Sequence, residues 1–263
     1  MRKTGQKAQK LRFCAAGGRL RRGPFRRRGR GLKLTAIQFA KDDSMITLYG
    51  VYRSRATRPL WLLAETGTPF THVPVIQSYR LKDATAPDAP LHTASPSFLK
   101  VNPQGLIPVL VIDDLVLTES LAITLHLAKV YGGDLGPQTD AERALMEQWS
   151  LFAATAIEGP SLEILFIQGD GGDKTPEGQA TIALNAEKLR RPLSRLEIHL
   201  SGQDWLVGNR FTAADINVAE CLRYAQGHPS LLSEFPAVKA WLERAQARPA
   251  FQAMWAARLA EPA

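Results

Sequence analysis

Residues 99–127 read LKVNPQGLIPVLVIDDLVLTESLAITLHL, and this stretch decides the fold. Val109–Ile112 and Leu115–Leu117 are short apolar runs joined by Asp113 and Asp114, the pattern of a β-hairpin with a two-residue turn. Both runs are apolar at consecutive positions, which predicts a hairpin covered on both faces. Thr118 is placed to cap a helix whose apolar residues Leu121, Leu125 and Ala128 recur at helical spacing, so Glu119 and Ser120 fall in its first turn. A helix start carries unpaired N–H groups and partial positive charge, which attract a carboxylate, and a neighbouring Glu can receive an ammonium group. Together they would hold an α-amino acid head group. The alternative is that Glu119 and Ser120 only cap their own helix. Pro108 is by default a trans proline entering a strand.

Upstream, Ile46, Leu48 and Tyr49 make a short strand, and PLWLLAETG over 59–67 reads as a helix stopped by Gly67. The next strand, residues 72–76, contains Pro74, which cannot donate to a ladder and therefore belongs on an edge. Residues 82–96, with three prolines, predict an exposed loop, and YGGDLGPQT over 131–139 clusters Gly and Pro as a domain linker. Everything beyond is helical in pattern. Ala144, Leu145, Gln148, Leu151 and Phe152 mark the buried face of a first long helix. Ala183, Leu184, Leu189, Leu193, Leu196 and Leu200 mark a second, which Pro192 kinks or divides. Thr212 followed by Asp215 is a capping-box variant opening a buried helix.

The net charge of +8 hides an asymmetry: residues 1–44 carry 14 Lys or Arg against 2 acidic residues, and the remainder carries 19 against 23. The leader, with GGRLRRGPFRRRGRG at 17–31, has too few apolar residues to bury and reads as a disordered basic extension. Nucleic-acid contact, anionic membrane contact and organellar targeting compete with an inert tail, or with a functional chain that starts at Met45. The inert or absent leader is the favoured reading, and nucleic-acid contact is not expected. No apolar run reaches the roughly 18 residues of a membrane span. Cys14 and Cys221 form no disulfide framework, which fits a reducing cytoplasm. The five histidines, at 72, 92, 126, 199 and 228, show no metal-ligand spacing, so no metal is expected, and no phosphate loop or dinucleotide fingerprint is present. His126 reads as a core or interface residue.

NPQGLIPVL followed by LTES resembles the glutathione-binding half of the glutathione S-transferases, of bacterial type with a serine-type catalytic turn, over about residues 45–258. The resemblance implies an α/β thioredoxin-like domain with a mixed four-stranded sheet at 45–131, a linker at 132–138 and an all-α domain at 139–258. It implies that Pro108 is cis, that the Ile107 backbone pairs with the cysteinyl part of glutathione, and that Glu119 and Ser120 grip its γ-glutamyl end. Glutathione is then the cosubstrate, a small hydrophobic electrophile the second substrate, and a homodimer the expected assembly.

An ordinary thiol of pKa about 8.5 is only about 3% thiolate at pH 7, so such an enzyme must stabilise the anion. Lowering the pKa by about two units takes roughly 2.7 kcal/mol, within reach of a hydroxyl donor and a helix N-terminus. Ser54, in LYGVYRSRATR after the first strand, resembles the donor of the serine-type enzymes, four residues before an arginine. Tyr49 is the rival, as in tyrosine-type relatives, and Thr57 a distant third. Pro59 disfavours helix at Arg58, so the helix is expected to begin late and carry its dipole away from Ser54. Leu106 stands where many relatives have a polar residue, and no Lys or Arg in 93–97 meets the glycyl carboxylate; His92 is close in sequence but reads as part of the loop. Tyr52, Trp149 and Phe152 are candidates for an electrophile pocket, although aromatics at such spacing usually belong to the core. Other readings are a non-catalytic binding or scaffold protein of this fold and a glutathione-dependent isomerase or peroxidase. The Ser-Ser-Cys run of serine-type isomerases is replaced here by Ser54-Arg-Ala.

Overall fold

The computed structural model describes residues 45–262, so the readings of the basic leader and of Cys14 lie outside the described residues. Strands β1 (Ile46–Tyr49), β2 (Thr71–Val73), β3 (Val109–Ile112) and β4 (Leu115–Leu117) form one sheet in the order β2-β1-β3-β4. β1 runs parallel to β2 and antiparallel to β3, with Leu48 opposite Leu110, and β3 and β4 are the expected hairpin. β2 is an edge strand, and Pro74 lies just past its end, where a missing N–H costs no ladder bond. One face of the sheet, with Ile46, Leu48, Leu110 and Ile112, packs under α1 (Thr57–Thr66) and α3 (Ser120–Tyr131). The other face, with Tyr49 and Val109, meets Phe98 of the short α2 (Pro96–Leu99). The hairpin is not covered on both faces: Leu115 and Val116 are 40% and 50% exposed, because β4 is the outer strand and no helix crosses it.

α1 begins at Thr57 rather than late, with Pro59 in its first turn, where a missing N–H breaks no hydrogen bond. Gly67 ends it in the left-handed conformation, its N–H returning to the Leu63 carbonyl.

From Asp140 the chain is helical. α4 (Asp140–Phe152) runs through a π turn at Ala153–Ile157 into α5 (Glu158–Gly169), followed by α6 (Pro176–Leu200), α7 (Ala213–Leu222), α8 (Pro236–Gln246) and α9 (Pro249–Ala260). The buried face of α4 is Met146, Trp149 and Ser150; Ala144, Leu145, Gln148 and Leu151 face outward. Asp140–Gly169 contains a window of mean hydropathy 1.4, so by length and composition this stretch, against expectation, meets the requirements of a membrane span. Its apolar residues Met146, Trp149, Ala153, Ile157 and Ile164 nevertheless join the core with α6 and α7, as a core helix does. α6 is not divided at Pro192: an interior proline costs about 3 kcal/mol, and burying Leu189, Leu193 and Leu196 around it contributes about 2 kcal/mol each.

The capping box at Thr212 is present, and Asp215 does more than cap. Its fully buried carboxylate also accepts from the Leu206 N–H at 3.0 Å and the Trp241 indole at 2.9 Å. Burial pushes its pKa up to about 6 despite these hydrogen bonds.

Candidate active site

The NPQG sequence builds a tight loop ahead of β3. Asn102 donates from Nδ2 to the Leu106 carbonyl at 2.8 Å, and its Oδ1 accepts the Gln104 N–H at 3.2 Å. Gly105 has φ +62°, and a Cβ there would stand 2.8 Å from the Thr93 carbonyl oxygen, so no other residue fits without moving backbone. The loop delivers Ile107 and Pro108 through a cis peptide bond, which replaces the trans default and agrees with the family resemblance.

Across from this loop α3 starts, and the structure corrects its cap. Glu119, not Thr118, is the N-cap, with φ 65° and ψ 106°. Positive φ is costly for a residue with a Cβ and is found where a site holds it in place. Glu119 is exposed, and its carboxylate makes no hydrogen bond among the described residues. Its side chain therefore gives its own helix no capping hydrogen bond. Ser120 is buried, and its Oγ accepts from Arg58 Nη1 at 2.7 Å. That leaves the hydroxyl hydrogen free to be donated. Gln104, Ile107, Pro108, Glu119 and Ser120 line one cavity of about 260 Å³.

Arg58 itself is 1% exposed and bridges the two halves of the molecule. Its Nη2 donates to Glu158 at 2.8 Å and to Cys221 Sγ at 3.3 Å. Burial opposes its charge, but the potential of Cys221, Tyr224 and Glu158 and the hydrogen bond to Glu158 raise its pKa above the ordinary arginine value. Glu158 also accepts from Arg55 at 2.5 Å and, although burial alone would raise its pKa, the two arginines hold it below the usual carboxylate value. Cys221 is pushed up to about 12 by its burial and is a neutral, inert thiol.

Ser54 lies in the turn between β1 and α1. Its Oγ donates to the Val51 carbonyl at 2.6 Å and accepts the Ala56 N–H at 3.0 Å. The residues before it are held from the far end of the chain: Glu261 accepts the N–H groups of Tyr52 at 2.7 Å and Arg53 at 2.8 Å. Ser54 lines a second cavity, of about 520 Å³, that shares Arg55, Leu106 and Ile107 with the first. Its apolar side is Leu162, Leu165 and Phe166 of α5, with Tyr224 beyond α7.

The structure thus brings Ser54, Ile107, Pro108, Glu119 and Ser120 along two adjoining cavities. Tyr49 lines neither; its ring packs against Phe98 on the opposite sheet face, centroids 6.1 Å apart. The Thr57 hydroxyl is buried and donates to the Ser54 carbonyl and to Glu220. The three aromatic candidates for the electrophile pocket line neither cavity and are packed elsewhere, as aromatics at such spacing usually are: Trp149 and Phe152 pack edge-to-face, and Tyr52 packs against His72. His92 is buried in its loop, its Nδ1 accepting the Ala94 N–H. No group of metal-ligating side chains occurs among the described residues.

Sequence reasoning missed Arg58 with its partner Glu158, and it missed the α5 wall. The second had a visible signal, because Leu162, Leu165 and Phe166 recur at helical spacing on a helix whose core residues, Ser161 and Ile164, lie on another face.

A mixed four-stranded sheet with a cis-proline loop beside the N-terminal end of a helix, followed by an all-helical domain, defines a thioredoxin-like fold with a helical extension. Residues 44–129 match the glutathione S-transferase N-terminal domain and residues 160–249 the C-terminal domain. The chain is 35% identical to glutathione S-transferase 3 of Zea mays over 79% of this chain and 91% of that protein. Glutathione transferase F7 of Populus trichocarpa superposes with a TM-score of 0.67 at 31% identity, over 81% of this chain and 99% of the other. The theta class glutathione S-transferase of Xanthomonas axonopodis pv. citri, solved with glutathione bound, gives 0.63 at 31% identity, over 80% and 97%. The chain belongs to the glutathione S-transferase family, enzymes that take glutathione as cosubstrate.

Proposed function

We propose that the protein conjugates glutathione to a hydrophobic electrophile and that Ser54 stabilises the attacking thiolate. The γ-glutamyl ammonium group pairs with the unpartnered Glu119 carboxylate, and the α-carboxylate takes the Ser120 hydroxyl hydrogen and the N–H groups at the start of α3. This places the cysteinyl part beside Ile107 and Pro108 and its sulfur in the cavity of Ser54. The hydroxyl hydrogen of Ser54 turns from the Val51 carbonyl to the sulfur, while the Ala56 N–H on Oγ polarises the hydroxyl and strengthens its donation. The thiolate attacks the electrophilic carbon, forming the C–S bond; the displaced pair leaves with a leaving group, or is protonated after addition to a double bond. Leu162, Leu165 and Phe166 offer the carbon body of the electrophile an apolar wall.

The observation that carries this reading is that Ser54 and Ile107 share a cavity with an apolar helix face, next to the cavity of Glu119 and Ser120. The test is thiolate absorbance of bound glutathione, titrated in wild type and in Ser54→Ala. A protein that binds glutathione without a lowered thiol pKa is a binding module and not a transferase. We further read residues 45–131 and 139–258 as the two domains of a cytoplasmic homodimer. Exposed Leu115, Val116 and Val130 on β4 and α3 support an apolar contact between copies, and a monomeric mass in light scattering would refute it.

A further inference from the structure

The cavity of Ser54 is lined by Arg53, Arg55 and Arg258 and by no acidic residue. Two of these cations are occupied. Arg55 pairs with Glu158 at 2.5 Å, and Arg258 donates to the Tyr52 carbonyl. The guanidinium of Arg53 makes no hydrogen bond or ion pair among the described residues, and its Nε is a buried donor without a partner. Buried polar groups in folded proteins nearly always have a hydrogen-bond partner; Arg58 Nε is unpaired too, but Arg58 is tied through Nη1 and Nη2, whereas the Arg53 guanidinium is tied through no atom and belongs to a residue lining the cavity. Glu261 does not serve the side chain: its carboxylate accepts the backbone N–H groups of Tyr52 and Arg53, which fixes the main chain. The surroundings are also short of negative charge. Burial, Arg223 and Arg53 all disfavour the charge of Arg258 and together outweigh the acids near it.

We propose that Arg53 receives an anionic group on the electrophile, so that the preferred substrates are apolar electrophiles carrying a carboxylate. This deepens the transferase reading and rests on it. A guanidinium binds a carboxylate through two parallel hydrogen bonds and so fixes direction as well as place. Arg53 adjoins Ser54 in the chain, and the α5 wall takes the carbon frame. A carboxylate held on Arg53 therefore aims the rest of the electrophile across the cavity at the sulfur. The glycyl carboxylate of glutathione offers the same chemistry, and Thr93 and Ser78 on this cavity bring no charge to meet it.

The experiment compares a chlorodinitrobenzoate with its methyl ester as electrophiles, using wild type, Arg53→Gln and Arg53→Lys. Wild type prefers the carboxylate, and Arg53→Gln lowers the ratio of kcat/KM for carboxylate over ester about tenfold. Arg53→Lys, which keeps the charge and loses the fork, falls between. In wild type alone the preference shrinks as ionic strength rises, a readout that depends on no variant folding. An unchanged ratio in Arg53→Gln, or a preference insensitive to salt, overturns the proposal. So does a loss that falls equally on both electrophiles and vanishes with the glycyl ethyl ester of glutathione, which would assign Arg53 to glutathione. Failure of Ser54→Ala to raise the thiol pKa would strike the thiolate reading alone, since the ratio between two electrophiles cancels the nucleophile.

Discussion

Ser54→Ala isolates the donor without disturbing the fold around it. In the turn the hydroxyl makes one donation, to Val51, and one acceptance, from Ala56, so its removal costs local stability of about 1 kcal/mol. Its effect on the bound thiol is larger. A hydrogen bond to a charged acceptor is worth about 1.5–3 kcal/mol, which is about 1–2 pKa units. Bound glutathione with a pKa near 6.5 is roughly three-quarters thiolate at pH 7; without the donor its pKa returns to about 8.5 and the thiolate falls to about 3%. The conjugation rate at pH 7 should therefore fall about 25-fold, and the loss should shrink as pH rises above the variant's thiol pKa. Glutathione binding should change little, because Glu119, Ser120 and the loop of Ile107 are untouched. The assay is the ultraviolet absorbance of the thiolate, titrated with glutathione bound, alongside kcat as a function of pH. A Ser54→Ala enzyme with the wild-type titration curve refutes the reasoning. So does a Tyr49→Phe enzyme that loses the signal while Ser54→Ala retains it.

Arg58 donates to Ser120, the proposed holder of the glutathione α-carboxylate, so Arg58→Lys should raise KM for glutathione several-fold with a smaller effect on kcat. Adding it to Ser120→Ala should produce little further change, as a double-mutant cycle of KM values will show. Arg58→Met also strips a partner from Glu158 and should destabilise the fold by about 3 kcal/mol in denaturant melts. Glu142, hydrogen-bonded by Arg210 and by the Gln138 N–H, has its pKa lowered from 4.5 to about 2. A depressed acid stabilises the fold above its unfolded pKa, and that stability is lost as pH falls from 4.5 toward 2. After solvent screening the contribution is about 1 kcal/mol, so Glu142→Gln should lower the thermal midpoint at neutral pH and flatten its decline over that acid range.

The parts of the fold that chain neighbours dictate were legible in sequence. The Asp113–Asp114 hairpin, the edge position of β2, the Gly67 stop and the Thr212–Asp215 box each follow from the chemistry of a few adjacent residues, although the strand expected to run through Pro74 ends before it, at Val73. The buried face of α4 was not legible. Its apolar residues surround the helix, so the face that packs is chosen chiefly by α7, which lies far along the chain. The cavity of Ile107, Pro108, Glu119 and Ser120, which we propose holds glutathione, was legible for the same reason as the hairpin: the four lie within 14 residues. The second cavity, proposed for the electrophile, is assembled from residues that include 53, 54, 162, 165, 166, 224 and 258. Nothing in the local pattern announces that they meet. Arg58 and Glu158 illustrate the limit: nothing near either residue announces their pairing until the chain between them, which sets them 100 positions apart, folds and buries both.

The grip of Glu261 on the N–H groups of Tyr52 and Arg53 sets an order of events on the ribosome. The turn that carries Ser54 emerges early, yet the carboxylate that holds it is translated 208 residues after Arg53. A nascent chain can complete its sheet and its glutathione-holding loop while this turn still waits for its last clasp. The turn is therefore clasped only after the helical domain has been made, later than the sheet and the loop of Ile107 and Pro108.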